Sequence, residues 1–193
     1  MIKYIPKYFQ HCNANIQTWD KPSERVFDGK IVKGRPTRGF GSSSFDYAGK
    51  LYKPSPWSKT MYVFKQDVEK LVWEELGIDK QFTFCLCGFY GTDGKGIPHH
   101  SDTVPTEDDL VVSISLGAPR IFIQKTYQNH VKKHTNTSET FLKENFVIDE
   151  THYLLEDGDV LIFDGKNQMY STHCVPDLQN AGERINLTFR SGL

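Results

Sequence analysis

Residues 184–190 read Arg-Ile-Asn-Leu-Thr-Phe-Arg and alternate polar and apolar side chains without a break. Successive side chains of an extended strand point to opposite faces, so Ile185, Leu187 and Phe189 would share one face and the polar residues the other. The segment therefore predicts a strand with one packed face and one polar face. Taken alone, it would equally suit an ordinary half-exposed strand of an antiparallel sheet.

Other short β-like runs precede this strand and are separated by turn residues. They are Phe82–Tyr90, Leu110–Leu116, Arg120–Gln124, Thr151–Leu155 and Val160–Phe163. One helical period, which begins at Thr60 and stops at Gly77, comes before them. Short strands with no helical periods between them favour an antiparallel sandwich or barrel over a parallel α/β sheet. The sequence therefore predicts a mainly β (α+β) fold.

The length and the net charge of the chain limit the number of domains and the kinds of partner that can be expected. A chain of 193 residues is long enough for one substantial core, so a single domain over 1–193 is expected. The net charge of −1 provides no global positive field, and a nucleic-acid contact would need a local basic patch. No apolar run resembles a secretory signal or a membrane span. We expect a soluble intracellular protein, cytoplasmic or nuclear and not secreted, with a monomer favoured and no membrane partner.

A second motif, His100-Ser101-Asp102, sets an imidazole and a carboxylate two residues apart. In an extended segment this spacing sends both side chains to the same face, where one cation could bridge them. His173 lies far downstream, and an antiparallel return of the chain could bring it opposite the pair. Two histidines and one carboxylate form a facial triad that leaves metal positions open, as oxygen chemistry at Fe(II) requires.

The metal motif has an alternative reading, and its register is not fixed by the sequence. H-x-D occurs often by chance, usually as a surface pair. His99 should point to the opposite face, although a shift of one residue in register would exchange it with His100. The polar face of residues 184–190 supports the prediction of a metal site. A dicarboxylate such as 2-oxoglutarate chelates iron at one end, and its distal carboxylate can be held by a buried guanidinium such as Arg184 or Arg190.

Taken in order, H-x-D, a distant His and R-x-N-x-T-x-R resemble the AlkB family of 2-oxoglutarate oxygenases. The resemblance covers roughly Phe82 to Arg190, including Ser113 to Gly117 and Gly158 to Leu161. It implies a double-stranded β-helix, or jelly roll, with an N-terminal helix and a nucleotide-recognition lid. The lid and supporting helix would occupy 1–80 and the jelly-roll core 81–193.

The resemblance also implies cofactors, site residues and a reaction. Fe(II) would be held by the catalytic residues His100, Asp102 and His173, and 2-oxoglutarate by Tyr90, Arg184, Asn186 and Arg190. Together with O2 they would demethylate N-alkylated bases of single-stranded or flipped nucleic acid, releasing formaldehyde, succinate and CO2. Substrate contacts would come from the lid, through Phe27, Arg38, Phe45 and Tyr47. Lys33, Arg35 and Arg38 form a local basic cluster that could contact phosphates.

Two departures from the family pattern leave the substrate open. The family's N-x-Y reads Gly88-Phe89-Tyr90 here, so one amide contact to the co-substrate is missing or supplied elsewhere. An acidic residue is common directly after the metal motif, where this chain has Thr103 and Val104. One alternative keeps the oxygenase chemistry and changes the substrate to a modified transfer-RNA base or a protein side chain. Another is a metal-binding jelly-roll module without catalysis.

Overall fold

The computed structural model of the chain describes residues 1–22, 24–27, 30–47, 50–102, 109–131 and 145–191. Their regular elements, in chain order, are β1 (Ile2–Ile5), β2 (Glu24–Phe27), β3 (Lys30–Lys33), β4 (Thr37–Gly41), β5 (Phe45–Tyr47), β6 (Lys50–Tyr52), α1 (Lys59–Leu76), β7 (Phe84–Tyr90), β8 (Ile97–His100), β9 (Leu110–Gly117), β10 (Arg120–Tyr127), β11 (Val147–Leu155), β12 (Val160–Asp164), α2 (Gly165–Tyr170), β13 (Ser171–Val175) and β14 (Arg184–Arg190).

Two antiparallel sheets make up most of the fold. The major sheet has the order β1-β12-β9-β14-β7-β4, and the minor sheet has the order β11-β10-β13-β8. The hairpins β2–β3 and β5–β6 each form a separate two-stranded sheet. Every run expected to be extended is a strand, so the mainly β antiparallel fold is confirmed. No helix in the described residues is long and apolar enough to cross a membrane.

The two faces of the major sheet have different partners. On the outer face, alternate residues such as Val112, Ile162 and Leu187 pack with the buried side of α1 in one continuous core. On the inner face, Val111 and Phe163 pack against Phe122 of the minor sheet in a second, smaller core. Because side chains alternate along each strand, the polar residues of β14 are left facing the space between the sheets.

Helix α1 follows the predicted period and has a defined cap at each end. The Ser58 hydroxyl accepts a hydrogen bond from the backbone N–H of Met61 at 3.2 Å. At the other end, Gly77 has a φ of 66° and donates its backbone N–H to the carbonyl of Trp73. The helix therefore ends at the glycine that the sequence marks as a stop signal.

The expected division at residue 81 stays a prediction, although residues before it contribute strands to the major sheet. Strands β1 and β4 form the two edges of the major sheet, although both lie within 1–80. The sequence did not predict β1, β8 or β13 as strands, because each has only four or five residues and no clear alternation. Such strands are determined by their pairing partners, which lie far away in the chain.

Gly158 provides a stability test of how the N-terminal segment is attached to the jelly roll. Its φ is 85°, and an added Cβ would lie 2.1 Å from the backbone nitrogen of Gln10. We expect Gly158→Ala to lower the free energy of unfolding by at least about 3 kcal/mol. Gly77→Ala is the control, since it has a similar φ but open space around it, and it should cost only about 1–2 kcal/mol. Equal losses in urea denaturation would contradict the crowding at Gly158.

Candidate metal and co-substrate site

The three predicted metal ligands meet at the edge of the minor sheet formed by β13 and β8. Strand β13 pairs with β8 so that His173 lies directly opposite His100, and the two ring centroids are 4.4 Å apart. Asp102 follows β8 by two residues. Its carboxylate oxygens lie 3.8 Å from Nε2 of His100 and 3.9 Å from Nε2 of His173. One ligand atom from each of the three residues lies within 4.8 Å of the others, close enough to share a metal ion.

Both imidazoles are prepared to act as neutral ligands. Burial is the main cause that lowers the pKa of His173 to about 3, and it also lowers the pKa of His100. Nδ1 of His100 lies 2.9 Å from the carbonyl of Pro98. A carbonyl only accepts, so Nδ1 carries the hydrogen and Nε2 keeps its lone pair on the side of Asp102. The His173 ring is fixed by stacking on Phe122, with centroids 5.0 Å apart.

Asp102 is held by two neighbours that the metal motif alone does not reveal. Nη2 of Arg190 donates to Oδ2 of Asp102 at 3.3 Å. The buried side chain of Gln168, in α2, accepts the backbone N–H of Asp102 at 3.0 Å through Oε1. The Ser101 hydroxyl donates to the backbone carbonyl of Gln168. Helix α2 therefore orients the segment that carries the carboxylate ligand.

His99 points to the other face of the minor sheet, as predicted. Its Nδ1 lies 3.1 Å from the Thr172 hydroxyl and its Nε2 lies 3.3 Å from the Cys174 sulfur. Both partners flank His173 in sequence and therefore face away from it. The register that pairs His100 with His173 leaves His99 outside the cluster of three ligands.

Arg184 offers unused hydrogen-bond capacity on the inner face of the major sheet. Only 2% of its surface is exposed, and its Nη2 donates to the Ser115 hydroxyl at 2.8 Å. Its Nε and Nη1 are buried without a hydrogen-bond partner among the described residues. Burial, with smaller effects from Arg35 and Arg120, lowers the pKa of Arg184, yet a guanidinium stays charged at neutral pH. A buried cation with free donors suits a carboxylate.

Of the other predicted co-substrate residues, Tyr90 and Asn186 lie near Arg184, whereas Arg190 lies at the opposite end of β14, beside Asp102. Tyr90 lies opposite Arg184 in the register of β7 with β14, and the Arg184 guanidinium lies 4.7 Å from the centre of its ring. The Asn186 amide nitrogen donates hydrogen bonds to the Ser113 hydroxyl at 2.8 Å and to the Ile114 carbonyl at 2.9 Å. Asn186 therefore ties β14 to β9.

Of the four predicted substrate residues, only Arg38 has a side chain that the structure describes. The side chains of Phe27, Phe45 and Tyr47 lie outside the described part of the chain, as do Thr103 and Val104. Arg38 is described, and its guanidinium contacts the Asp20 carboxylate at 3.2 Å and the Ser55 hydroxyl at 2.6 Å. A substrate surface formed by Phe27, Arg38, Phe45 and Tyr47 therefore stays a prediction.

The basic cluster is also engaged within the protein. Lys33 pairs with Glu24 across the β2–β3 hairpin at 3.4 Å. Arg35 reaches Gly96 and the Tyr90 ring instead of solvent. The sequence analysis did not predict the contact of Gln168 with Asp102 or the contact of Arg35 with Tyr90. The missing amide at Gly88 was the one sequence feature that pointed to Arg35, and no sequence feature pointed to Gln168.

Comparison with known proteins agrees with this geometry. The family model of the 2OG-Fe(II) oxygenase superfamily matches residues 12–190. Alpha-ketoglutarate-dependent dioxygenase alkB homolog 3 of Rattus norvegicus is 27% identical over 161 residues, which are 81% of this chain and 50% of that protein. The Mus musculus protein of the same name is 26% identical over 161 residues, 81% of this chain and 51% of its own length. The chain spans about half the length of these curated relatives.

A solved structure supports the architecture. The structure of OsALKBH1 superposes with a TM-score of 0.60 over 98% of this chain and 96% of that chain, at 18% identity. At this identity the likeness concerns the fold alone. The jelly roll expected from the sequence is confirmed, and the two alkB homologues confirm the resemblance to the AlkB family.

Replacing the ligands one at a time tests the metal site. We expect His100→Ala, Asp102→Ala and His173→Ala each to weaken Fe(II) binding by at least about 100-fold, since removing even an outer contact of a metal site often costs 10–100-fold. His99→Ala is the matched control and should bind iron much as the wild type does. Anaerobic titration with Fe(II) measures this. Loss of binding in His99→Ala together with its retention in His100→Ala would contradict the register.

Arg184 can be tested through ligand-induced stabilisation. With Mn(II) replacing iron to prevent turnover, 2-oxoglutarate should raise the melting temperature of the wild type. Arg184→Ala should bind it roughly 10–100-fold more weakly, the range expected for losing a hydrogen bond to a charged group. The stabilisation by Mn(II) alone serves as the internal control and should persist. A wild-type response to 2-oxoglutarate in Arg184→Ala would show that another cation holds the distal carboxylate.

Proposed function

The chain belongs to the 2OG-Fe(II) oxygenase superfamily, and from this premise we propose that it oxidatively demethylates N-alkylated bases in nucleic acid. It is an Fe(II)- and 2-oxoglutarate-dependent dioxygenase. The observation that carries the proposal is the contact of the His100, Asp102 and His173 cluster with the buried polar face of β14, where Arg190 donates to Asp102. The AlkB resemblance of the same motifs supports an alkylated base as the substrate.

In this proposal the three ligands hold Fe(II) on one side of the site. The donor set fits the ion, because two neutral imidazoles and one carboxylate leave coordination positions free for the co-substrate and O2. Nε2 of each histidine is the ligand atom. Arg190 contacts Asp102 and balances its negative charge, and Gln168 fixes the direction of the carboxylate through the backbone. Phe122 covers one face of His173 and keeps water from it.

Arg184 holds the distal carboxylate of 2-oxoglutarate in this proposal, with Tyr90 beside it and Asn186 keeping the two strands in register. Its free Nε and Nη1 would donate to the carboxylate oxygens in the planar fork that guanidinium groups favour. Because Arg184 is buried, little water surrounds the interaction, which strengthens it. Bound iron supplies the oxidation of the alkyl carbon, and the chain supplies binding, orientation and shielding.

The target base must reach the iron from outside the jelly roll. A base buried in a duplex cannot do so, so the substrate is single-stranded or presents a flipped base. The hairpins β2–β3 and β5–β6 pair with neither large sheet, and they form the lid in this proposal. Phe27, Phe45 and Tyr47 lie on these hairpins and would contact the base, with Arg38 at the adjacent edge strand β4.

A second candidate keeps the chemistry and changes the substrate to a modified transfer-RNA base or a protein side chain. It is favoured by the engagement of Lys33, Arg35 and Arg38 with partners in the protein itself. Cations already paired contribute less to phosphate binding, so strong salt-dependent DNA affinity is not expected. A non-catalytic jelly-roll module is not retained, because the family is one of oxygenases.

A product screen separates these candidates. The protein is incubated with Fe(II), ascorbate, 2-oxoglutarate and N-methylated DNA or RNA oligonucleotides. The mass of each oligonucleotide is then measured by mass spectrometry. We expect loss of 14 Da per methyl group, the mass of CH2, with stoichiometric formaldehyde and succinate. Asp102→Ala is the negative control. Succinate formation that never depends on an oligonucleotide, with no change in oligonucleotide mass, would favour the protein-side-chain candidate.

A further inference from the structure

Gly88 lies where the AlkB resemblance expects an amide side chain, and the space above it is filled. A Cβ built on Gly88 would lie 3.2 Å from Cδ of Arg35. That distance is shorter than ordinary van der Waals contact, so an asparagine at position 88 would require the Arg35 side chain to move from its present course. The missing amide and the arginine are therefore linked by packing.

Arg35 reaches this position from the connection between the β2–β3 hairpin and β4. Its guanidinium carbon lies 3.9 Å from the centre of the Tyr90 ring, well within the range of a cation–π contact. Its Nη2 donates to the backbone carbonyl of Gly96 at 3.0 Å, just before β8 and the metal motif. The Arg35 side chain thus links three parts of the fold: the loop between β3 and β4, the Tyr90 ring and the segment that leads to His100.

Arg35 also lies near enough to Arg184 to act on it electrostatically. Burial is the main cause that lowers the pKa of Arg184, and the positive charge of Arg35 lowers it further. Two like charges near Tyr90 repel each other, and a bound dicarboxylate would relieve that repulsion.

We propose that Arg35 is a positioning residue for 2-oxoglutarate. Through its contact with Tyr90, Arg35 takes over the role of the side-chain amide that is absent at Gly88. The inference rests on the proposed co-substrate site and deepens it. The guanidinium fixes the Tyr90 ring beside Arg184, and Gly88 provides the space in which Arg35 lies. Arg35 is accordingly assigned to the co-substrate side of the site and not to the phosphates of a nucleic acid.

The test is a double-mutant cycle on the Mn(II)-loaded protein, with 2-oxoglutarate and oxalate as probes. Oxalate chelates the metal but has no distal carboxylate, so it reports the metal end alone. Arg35→Ala should weaken 2-oxoglutarate binding roughly tenfold, which lies between the effects of an exposed and a desolvated cation–π contact, and leave oxalate binding unchanged. Lys95→Ala, which removes an exposed cation next to Gly96, is the matched control and should change neither.

Gly88→Asn completes the cycle. Alone it should weaken 2-oxoglutarate binding, because the new side chain displaces Arg35. In Arg35→Ala/Gly88→Asn the amide has room, and binding should recover above that of either single variant. Arg35→Lys keeps the charge without the planar stack and should bind between the wild type and Arg35→Ala. The melting temperature without ligand reports whether each variant is folded.

Two results would overturn the inference, and they differ in meaning. Wild-type 2-oxoglutarate affinity in Arg35→Ala, or purely additive losses in the double variant, would remove Arg35 from the co-substrate site and leave the proposed function intact. Absence of any 2-oxoglutarate response in the wild type, with normal Mn(II) stabilisation, would contradict the co-substrate site itself and the inference with it.

Discussion

The antiparallel pairing of β13 with β8 is the constraint on which the rest of the site depends. It places His173 directly opposite His100, although the two residues are far apart in the chain. Asp102 then needs only to follow β8 by two residues to complete the cluster, and α2 holds it there through Gln168. A shift of one residue in this pairing would turn His99 inward and leave the carboxylate without its partner imidazoles.

Strand β14 links this metal cluster to the hydrophobic core. Leu187 and Phe189 pack toward α1, while Arg184 and Arg190 project from the opposite face with only 2% and 3% of their surfaces exposed. Burying a charge is costly unless an anion accompanies it. Arg190 has Asp102 beside it, whereas two buried nitrogens of Arg184 have no hydrogen-bond partner in the part of the chain that the structure describes. The core therefore holds in place a cation that suits a carboxylate.

Local patterns in the sequence predicted the fold and the residue types of the site, but not the contacts that orient them. The alternation in 184–190 and the spacing of His100 and Asp102 follow from strand geometry, and the opposite directions of His99 and His100 follow from the same rule. Strands β8 and β13 are too short to show a pattern. Gln168 and Arg35 act through partners distant in the sequence, which only the folded chain brings near.

A crystal structure of the protein with Mn(II) and 2-oxoglutarate, grown without oxygen, would test the proposed site most directly. We expect one metal ion bonded to Nε2 of His100, a carboxylate oxygen of Asp102 and Nε2 of His173, with the distal carboxylate of 2-oxoglutarate on Nε and Nη1 of Arg184. A metal ion bound through His99, or a distal carboxylate that points away from Arg184, would contradict it.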